Sequence, residues 1–463
     1  MKMFILLTTI LLFTSVNSFT NIYSKIPSLP VTVDPGPALY LTPFIEQGKI
    51  DEAKKLAIVK FNGFKNVLAY SGYLTVNKQY NSNMFFWFFP SFTNYKVDPV
   101  ILWLQGGPGA SSLIGLFAEN GPFRPKTHGV KLRKYSWVQT HSVIYIDNPV
   151  GTGYSFTNGG YAQNETAVGN DLYQALLQFF QLFPELQKND FFVTGESYAG
   201  KYVPAVSYTI HKNNPSAKLK INLKGLAIGN GLCDPINQLK YSDYLYQIGL
   251  IDINAKKLVQ DYEAKGVELM KNKKWIEAFH LFDNLLNGDL NNHTSIFKNI
   301  TGFDNYYNYL ISYDPDDTIK QMGIYIQKSE VRNAIHVGNN TFNGVAQEVE
   351  LNLMNDVMQS VAPWISELLS NYRVMIYNGQ LDIIVAYPLT VNFLQNLQFS
   401  AAEEYKTASR HIWVVGNDIG GYVKVAGNLT EVLVRNAGHM VPGDQPQFGF
   451  DLISRFTRNK PFY

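Results

Sequence analysis

Short runs of continuous apolar residues, each breaking into a turn rich in glycine, recur along this chain. Val100-Ile101-Leu102-Trp103-Leu104 breaks into Gln105-Gly106-Gly107-Pro108-Gly109-Ala110-Ser111-Ser112. His141-Ser142-Val143-Ile144-Tyr145-Ile146 leads into Asp147-Asn148-Pro149-Val150-Gly151-Thr152-Gly153. Phe191-Phe192-Val193-Thr194 leads into Gly195-Glu196-Ser197-Tyr198-Ala199-Gly200. Leu226–Gly231, Arg373–Tyr377 and Glu431–Arg435 repeat the form. Runs without polar alternation suit strands buried on both faces. Asp171–Leu182 carries Leu, Ala and Phe at helical spacing between two of them. Alternating strands and helices predict an α/β architecture, a doubly wound and mostly parallel sheet.

The pattern changes at both ends of this region. Ser71–Val76 alternates like a strand, and Met84–Phe89 is an aromatic strand across a turn from it, read as core and not as a ligand platform. Residues 19–65 read as an extended, proline-rich arm with a short helix around Ile50–Val59, a candidate propeptide region. From about 235 to 345, Tyr241–Ile248, Asn254–Lys271 and Lys274–Leu286 are helical and no strand pattern appears. This stretch is expected to be a helical cap inserted into a core of residues 66–234 and 346–463, over the catalytic edge.

Targeting signals add a compartment. Lys2, the apolar run Phe4–Phe13 and Val16-Asn17-Ser18 make residues 1–18 a signal peptide. The run is well short of the ~20 residues of a membrane span. N-x-(S/T) sites at Asn164, Asn292, Asn299, Asn339 and Asn428 fit glycosylation on a secretory route, whereas Asn214 precedes Pro215 and does not qualify. The protein is expected to be secreted or lysosomal. A net charge of +2 over 463 residues gives no electrostatic case for nucleic acid or membrane partners. Cys233 is the single cysteine, so no internal disulfide is available; it reads as a packed residue. No paired His or Cys stands at metal-ligand spacing, and no cofactor is expected.

The chemistry gathers where the strands end. Phe191 to Gly200 is a strand, a sharp turn with a serine at its apex, and the start of a helix: the nucleophile elbow of α/β-hydrolases. The loop Gln105–Ser112 has neither the G-x-G-x-x-G spacing nor the G-K-(S/T) ending of a phosphate cradle, but it sits where an α/β-hydrolase draws a second oxyanion donor. Asp382 follows Arg373–Tyr377, and His439 follows Glu431–Arg435 in a glycine-flanked turn. Glycine–serine turns, loop aspartates and lone histidines are common singly; the order Ser197, Asp382, His439, each after a strand, is what points to a triad. His439 would take the proton of Ser197, and Asp382 would hold the imidazole tautomer.

Trp103–Gly109, Asp147–Gly153, Gly195–Gly200, Asn378-Gly379-Gln380-Leu381-Asp382 and Gly438-His439 together resemble the serine carboxypeptidases, and among them the vitellogenic-like carboxypeptidases. The resemblance runs from about residue 40 to the last residue and implies an exopeptidase that removes one C-terminal residue. By position it implies an oxyanion hole from the N–H groups of Gly107 and Tyr198. It implies recognition of the substrate's terminal carboxylate by Gln105, by Glu119 in Glu119-Asn120-Gly121-Pro122, and by Glu196. Two nearby carboxyls share a proton, so one is held neutral and can donate to a carboxylate. Activity is therefore expected to be best at acidic pH. Gln105 replaces the family's usual Asn, and Ala110 stands where many members have a disulfide cysteine. Two rivals share the residues: an acyltransferase on the same fold, and a catalytically silent binding or storage protein.

Overall fold

The computed structural model describes residue 26 and residues 28–60, 67–126, 129–288, 290, 294–313 and 317–463. The expected signal peptide, part of the N-terminal arm and Asn292 lie outside the described residues. Among the described residues twelve strands occur in chain order: β1 (Tyr70–Asn77), β2 (Ser82–Phe89), β3 (Val100–Leu104), β4 (Phe123–Lys126), β5 (Gly129–Leu132), β6 (Ser142–Ile146), β7 (Phe191–Glu196), β8 (Leu223–Gly229), β9 (Arg373–Gly379), β10 (His411–Val415), β11 (Asp418–Ala426) and β12 (Leu429–Val434). Ten form one sheet in the order β1-β2-β6-β3-β7-β8-β9-β12-β11-β10; β4 and β5 pair separately. The six strands from β6 to β12 in that order pair in parallel. Antiparallel pairs flank them on either side.

The aromatic run of β2 shows why the sheet is covered twice. Met84, Phe86 and Phe88 face one core, and Phe85, Trp87 and Phe89 face the other. Alternation of side chains along a strand does this automatically. Helix Glu165–Leu182 covers the first face. Asn164 caps it by accepting from the N–H of Ala167 at 2.9 Å, and Val168, Leu172, Leu176 and Phe179 form its buried stripe. Phe179 meets Phe88 edge-on at 5.0 Å between ring centroids.

Helix Ala199–Asn213, which follows the elbow, contains Pro204. Proline has no N–H, so the carbonyl four residues back, that of Gly200, loses its helical partner. The thiol of Cys233 donates to that carbonyl at 3.3 Å. Burial pushes the thiol well above its ordinary range, so it remains protonated as a donor. Cys233→Ala is expected to leave the carbonyl unpaired and to lower stability by about 1–3 kcal/mol in denaturant unfolding. A variant as stable as the parent would contradict this account of the cysteine.

The predicted strands and helices are all present; the helix expected over Asp171–Leu182 begins six residues earlier, at Glu165, and the other ends shift by a few residues. Leu226–Gly231 closes earlier than expected: β8 stops at Gly229, and Asn230 turns with φ 44°. The β10–β11 hairpin and the β4–β5 pair were not legible. Between β8 and β9 the described residues contain helices and loops but no strand. The far end of this segment is tied to the glycine loop: Ser111 N–H donates to Gly344 O, and Ala346 N–H to Gly109 O, each at 2.9 Å.

Candidate active site

Ser197 sits between β7 and its helix with φ 65°, a left-handed conformation that costs a residue with a Cβ about 1–3 kcal/mol. Three hydrogen bonds hold it there: its N–H donates to Gly229 O at 3.0 Å, and its carbonyl accepts from Gly200 N–H at 2.9 Å and Leu232 N–H at 3.0 Å. A Cβ on Gly195 would lie 2.7 Å from the Ala199 Cβ, so strand and helix meet here as the small residues predicted. A Cβ on Gly106 would lie 2.4 Å from the Tyr198 nitrogen. The glycine loop thus presses its backbone onto the elbow. Among the described backbone hydrogen bonds, neither Gly107 N–H nor Tyr198 N–H has an acceptor.

The loops after β9 and β12 bring Asp382 and His439 to the same edge, both fully buried. His439 Nδ1 lies 2.9 Å from Asp382 Oδ2. That carboxyl accepts three further bonds: from Asn230 Nδ2 at 2.7 Å, Val385 N–H at 3.2 Å and Ile384 N–H at 3.1 Å. A carboxylate ringed by donors is an acceptor, so Nδ1 carries the proton and Nε2 is left as the basic nitrogen. Nε2 is buried and makes no hydrogen bond within the protein. The Ser197 hydroxyl therefore makes no hydrogen bond to it here, a bond that is often long or poorly aligned until substrate binds.

Glu119, Glu196 and Gln105 meet beside this cluster, all fully buried. Trp103 Nε1 donates to Gln105 Oε1 at 3.0 Å, and Gln105 Nε2 donates to Glu196 Oε1 at 3.2 Å. The longer amide that departs from the family pattern thus spans from Trp103 to the carboxyl pair. Neither oxygen of Glu119, nor Glu196 Oε2, accepts from a protein N–H or O–H of fixed position. Glu119 and Glu196 satisfy each other only when a proton lies between them. Burial drives both upward, and the charge of Glu119 adds to the shift of Glu196.

The structure brings together all eight residues singled out for chemistry. Asn230 and Tyr307 were missed. Asn230 holds Asp382, while its Oδ1 accepts from Gly379 N–H at 3.1 Å. Its signal was a Gly-Asn-Gly turn at a strand end. Tyr307, from the segment between β8 and β9, has no local signature. It borders a cavity of about 250 Å³ with Ala118, Arg133, Ile311, His439 and Met440. Asn164, Asn299, Asn339 and Asn428 are exposed. Among the described residues no helix is long and apolar enough to cross a membrane, and no group of three His, Cys, Asp or Glu could hold a metal.

A serine, an aspartate and a histidine at three strand ends of a doubly wound sheet define an α/β-hydrolase. The family profile described as serine carboxypeptidase matches residues 60–459, and the chain belongs to that family. The venom serine carboxypeptidase of Apis mellifera is 57% identical over 467 residues, covering 100% of both chains. The vitellogenic carboxypeptidase of Aedes aegypti is 49% identical over 431 residues, 91% of this chain and 90% of that one. The crystal structure of a prohormone-processing carboxypeptidase from Saccharomyces cerevisiae superposes with a TM-score of 0.73 at 24% identity, covering 88% of this chain and 96% of the other; it matches in fold.

Proposed function

We propose that this serine carboxypeptidase removes single C-terminal residues from peptides through an acyl-enzyme on Ser197. The observation that carries the reading is the buried Glu119–Glu196 carboxyl pair directly beside the serine, aspartate and histidine. A neutral carboxyl among amide donors suits a terminal carboxylate, which two ionised carboxyls would repel. With that carboxylate against Glu119, Glu196 and Gln105, the last peptide bond is the one presented to Ser197. Nothing lies beyond the terminal residue, so cleavage releases one amino acid.

The chemistry follows from the atoms. Ser197 Oγ bonds to the carbonyl carbon while its proton passes to His439 Nε2. Asp382 holds Nδ1–H and the positive imidazolium that results. The carbonyl oxygen becomes negative and is met by the N–H groups of Gly107 and Tyr198. His439 then gives its proton to the leaving nitrogen, the C–N bond breaks, and the acyl-enzyme remains. Water repeats the attack and frees Ser197. The residues between β8 and β9 act as a cap whose Tyr307 borders the space for the leaving residue. The four exposed sequons support passage through the secretory route.

The test is mass spectrometry of a mixed peptide pool incubated with the protein from acid to neutral pH. Loss of single C-terminal residues, absent with Ser197→Ala, is the expected result. A folded protein that trims nothing at any pH would overturn the reading.

A further inference from the structure

Tyr307 belongs to no motif, yet it is built into the site. Its ring stacks on the imidazole of His439, with 4.4 Å between centroids and 17° between planes. Its carbonyl accepts from His439 N–H at 2.7 Å. The neighbouring residues hold the aspartate loop in the same way. Tyr306 O accepts from Ile383 N–H and Ile384 N–H, each at 3.1 Å, and Tyr309 N–H donates to Leu381 O at 2.9 Å. The Tyr307 N–H is itself fixed, donating to Asn305 Oδ1 at 2.8 Å. A Cβ on Gly438 would lie 2.3 Å from the Tyr307 carbonyl, so the histidine loop packs flat against this stretch. Residues 305–309 therefore join the loops of Asp382 and His439.

We propose that Tyr307 is a positioning residue for His439, its ring fixing the imidazole plane and its face stabilising the imidazolium formed when Nε2 accepts the Ser197 proton. The inference rests on His439 being the base, as proposed above. The face of a phenol ring is electron-rich and attracts a cation within about 6 Å of its centre. The neutral imidazole gains little from that face, and the imidazolium gains more. The contact therefore strengthens on the way to the transition state, the only kind of interaction that raises kcat. The charged groups around His439 stay in place when the ring is changed: Asp382 at Nδ1, Glu119 across the site, and Arg124, Arg133 and Asp444 along the shared cavity. A role limited to lining that cavity would act on KM.

Three replacements separate the roles. Tyr307→Phe keeps the ring, Tyr307→Leu removes it, and pentafluorophenylalanine at position 307 keeps the shape while reversing the charge of the face. Two rates are read on each full-length protein. One is turnover of a peptide, resolved into kcat and KM. The other is phosphonylation of Ser197 by a fluorophosphonate, which needs the same proton transfer but no leaving residue. Tyr307→Phe, which lacks the hydroxyl but keeps the electron-rich face, is the reference against which the other two are read. The Leu and pentafluoro forms are expected to lose on the order of tenfold in kcat and in phosphonylation, with KM unchanged. A pentafluoro form as fast as Tyr307→Phe, or a loss confined to KM, would overturn the proposal. The pair of aromatic variants decides alone if Tyr307→Leu unfolds. A parent protein inert to the reagent would overturn the proposed function and this inference with it.

Discussion

Alanine at Ser197 or at His439 is expected to lower kcat on a peptide about a million-fold, and the double variant to be no slower than either single one. The two residues perform one proton transfer, so removing either removes the whole step. What survives is substrate binding and the N–H groups of Gly107 and Tyr198, which still favour attack by water. Asp382→Asn is expected to cost about 10⁴-fold. Its amide would place an NH₂ group or a single oxygen among four donors: His439 Nδ1–H, Asn230 Nδ2, Ile384 N–H and Val385 N–H. The histidine would then turn its lone pair inward and its proton toward the serine. Steady-state rates with melting curves on the same samples test this series. Asp382→Asn with near-parental kcat would dismiss the assigned role.

The second large effect is on pH. Burial first, partly offset by the neighbouring Glu196 and Gln105 side chains, raises Glu119 to about 7, and Glu196 is pushed well above the usual carboxylate range. Both shifts are upward, so the neutral forms persist through the acid range and charge arrives as pH rises past about 7. The two titrate as a pair, not as separate residues. Below that point the pair donates to a substrate carboxylate; above it the pair repels one. KM for a peptide acid is therefore expected to climb above neutrality, while KM for the matching peptide amide or ester is not. Glu196→Met, which keeps the length and removes the donor, should raise KM for the acid at low pH by about 10- to 100-fold, the worth of a hydrogen bond to a charged group, and leave ester hydrolysis intact. Equal pH profiles for acid and amide would remove the carboxyl pair from substrate recognition.

Legibility in the sequence followed physical locality. β3, β7 and β9 were readable because both faces are buried, so each carries an unbroken apolar run: Val100–Leu104, Phe191–Val193 and Val374–Tyr377. β10 and β11 were not. Ile412 and Val414 of β10 face solvent at 55% and 47% exposure, so apolar side chains stand where polar ones would mark the outer face. β11 contains Gly420 and Gly421, and a Cβ on Gly421 would lie 1.9 Å from Leu433 O, so close strand approach rather than strand propensity sets that segment. The same division holds in the site. Ser197, Asp382 and His439 each follow a readable strand into a turn. Gln105, Glu119 and Glu196 were placed by resemblance, and the structure gathers them. Tyr307 was invisible because its partner lies more than a hundred residues away and its contact is a ring face, which leaves no trace in spacing.

The thiol under the elbow gives this molecule an internal clock. Cys233 is the sole cysteine, fully buried, and its hydrogen goes to the carbonyl that Pro204 leaves unpaired. A thiol reagent in solution can reach it only when the helix behind Ser197 lifts away from the loop after β8. Labelling under native conditions thus times the opening of that one region, without denaturant and with no engineered probe. Compared with the loss of activity in the same tube, it separates molecules that open locally and close again from those that unfold for good.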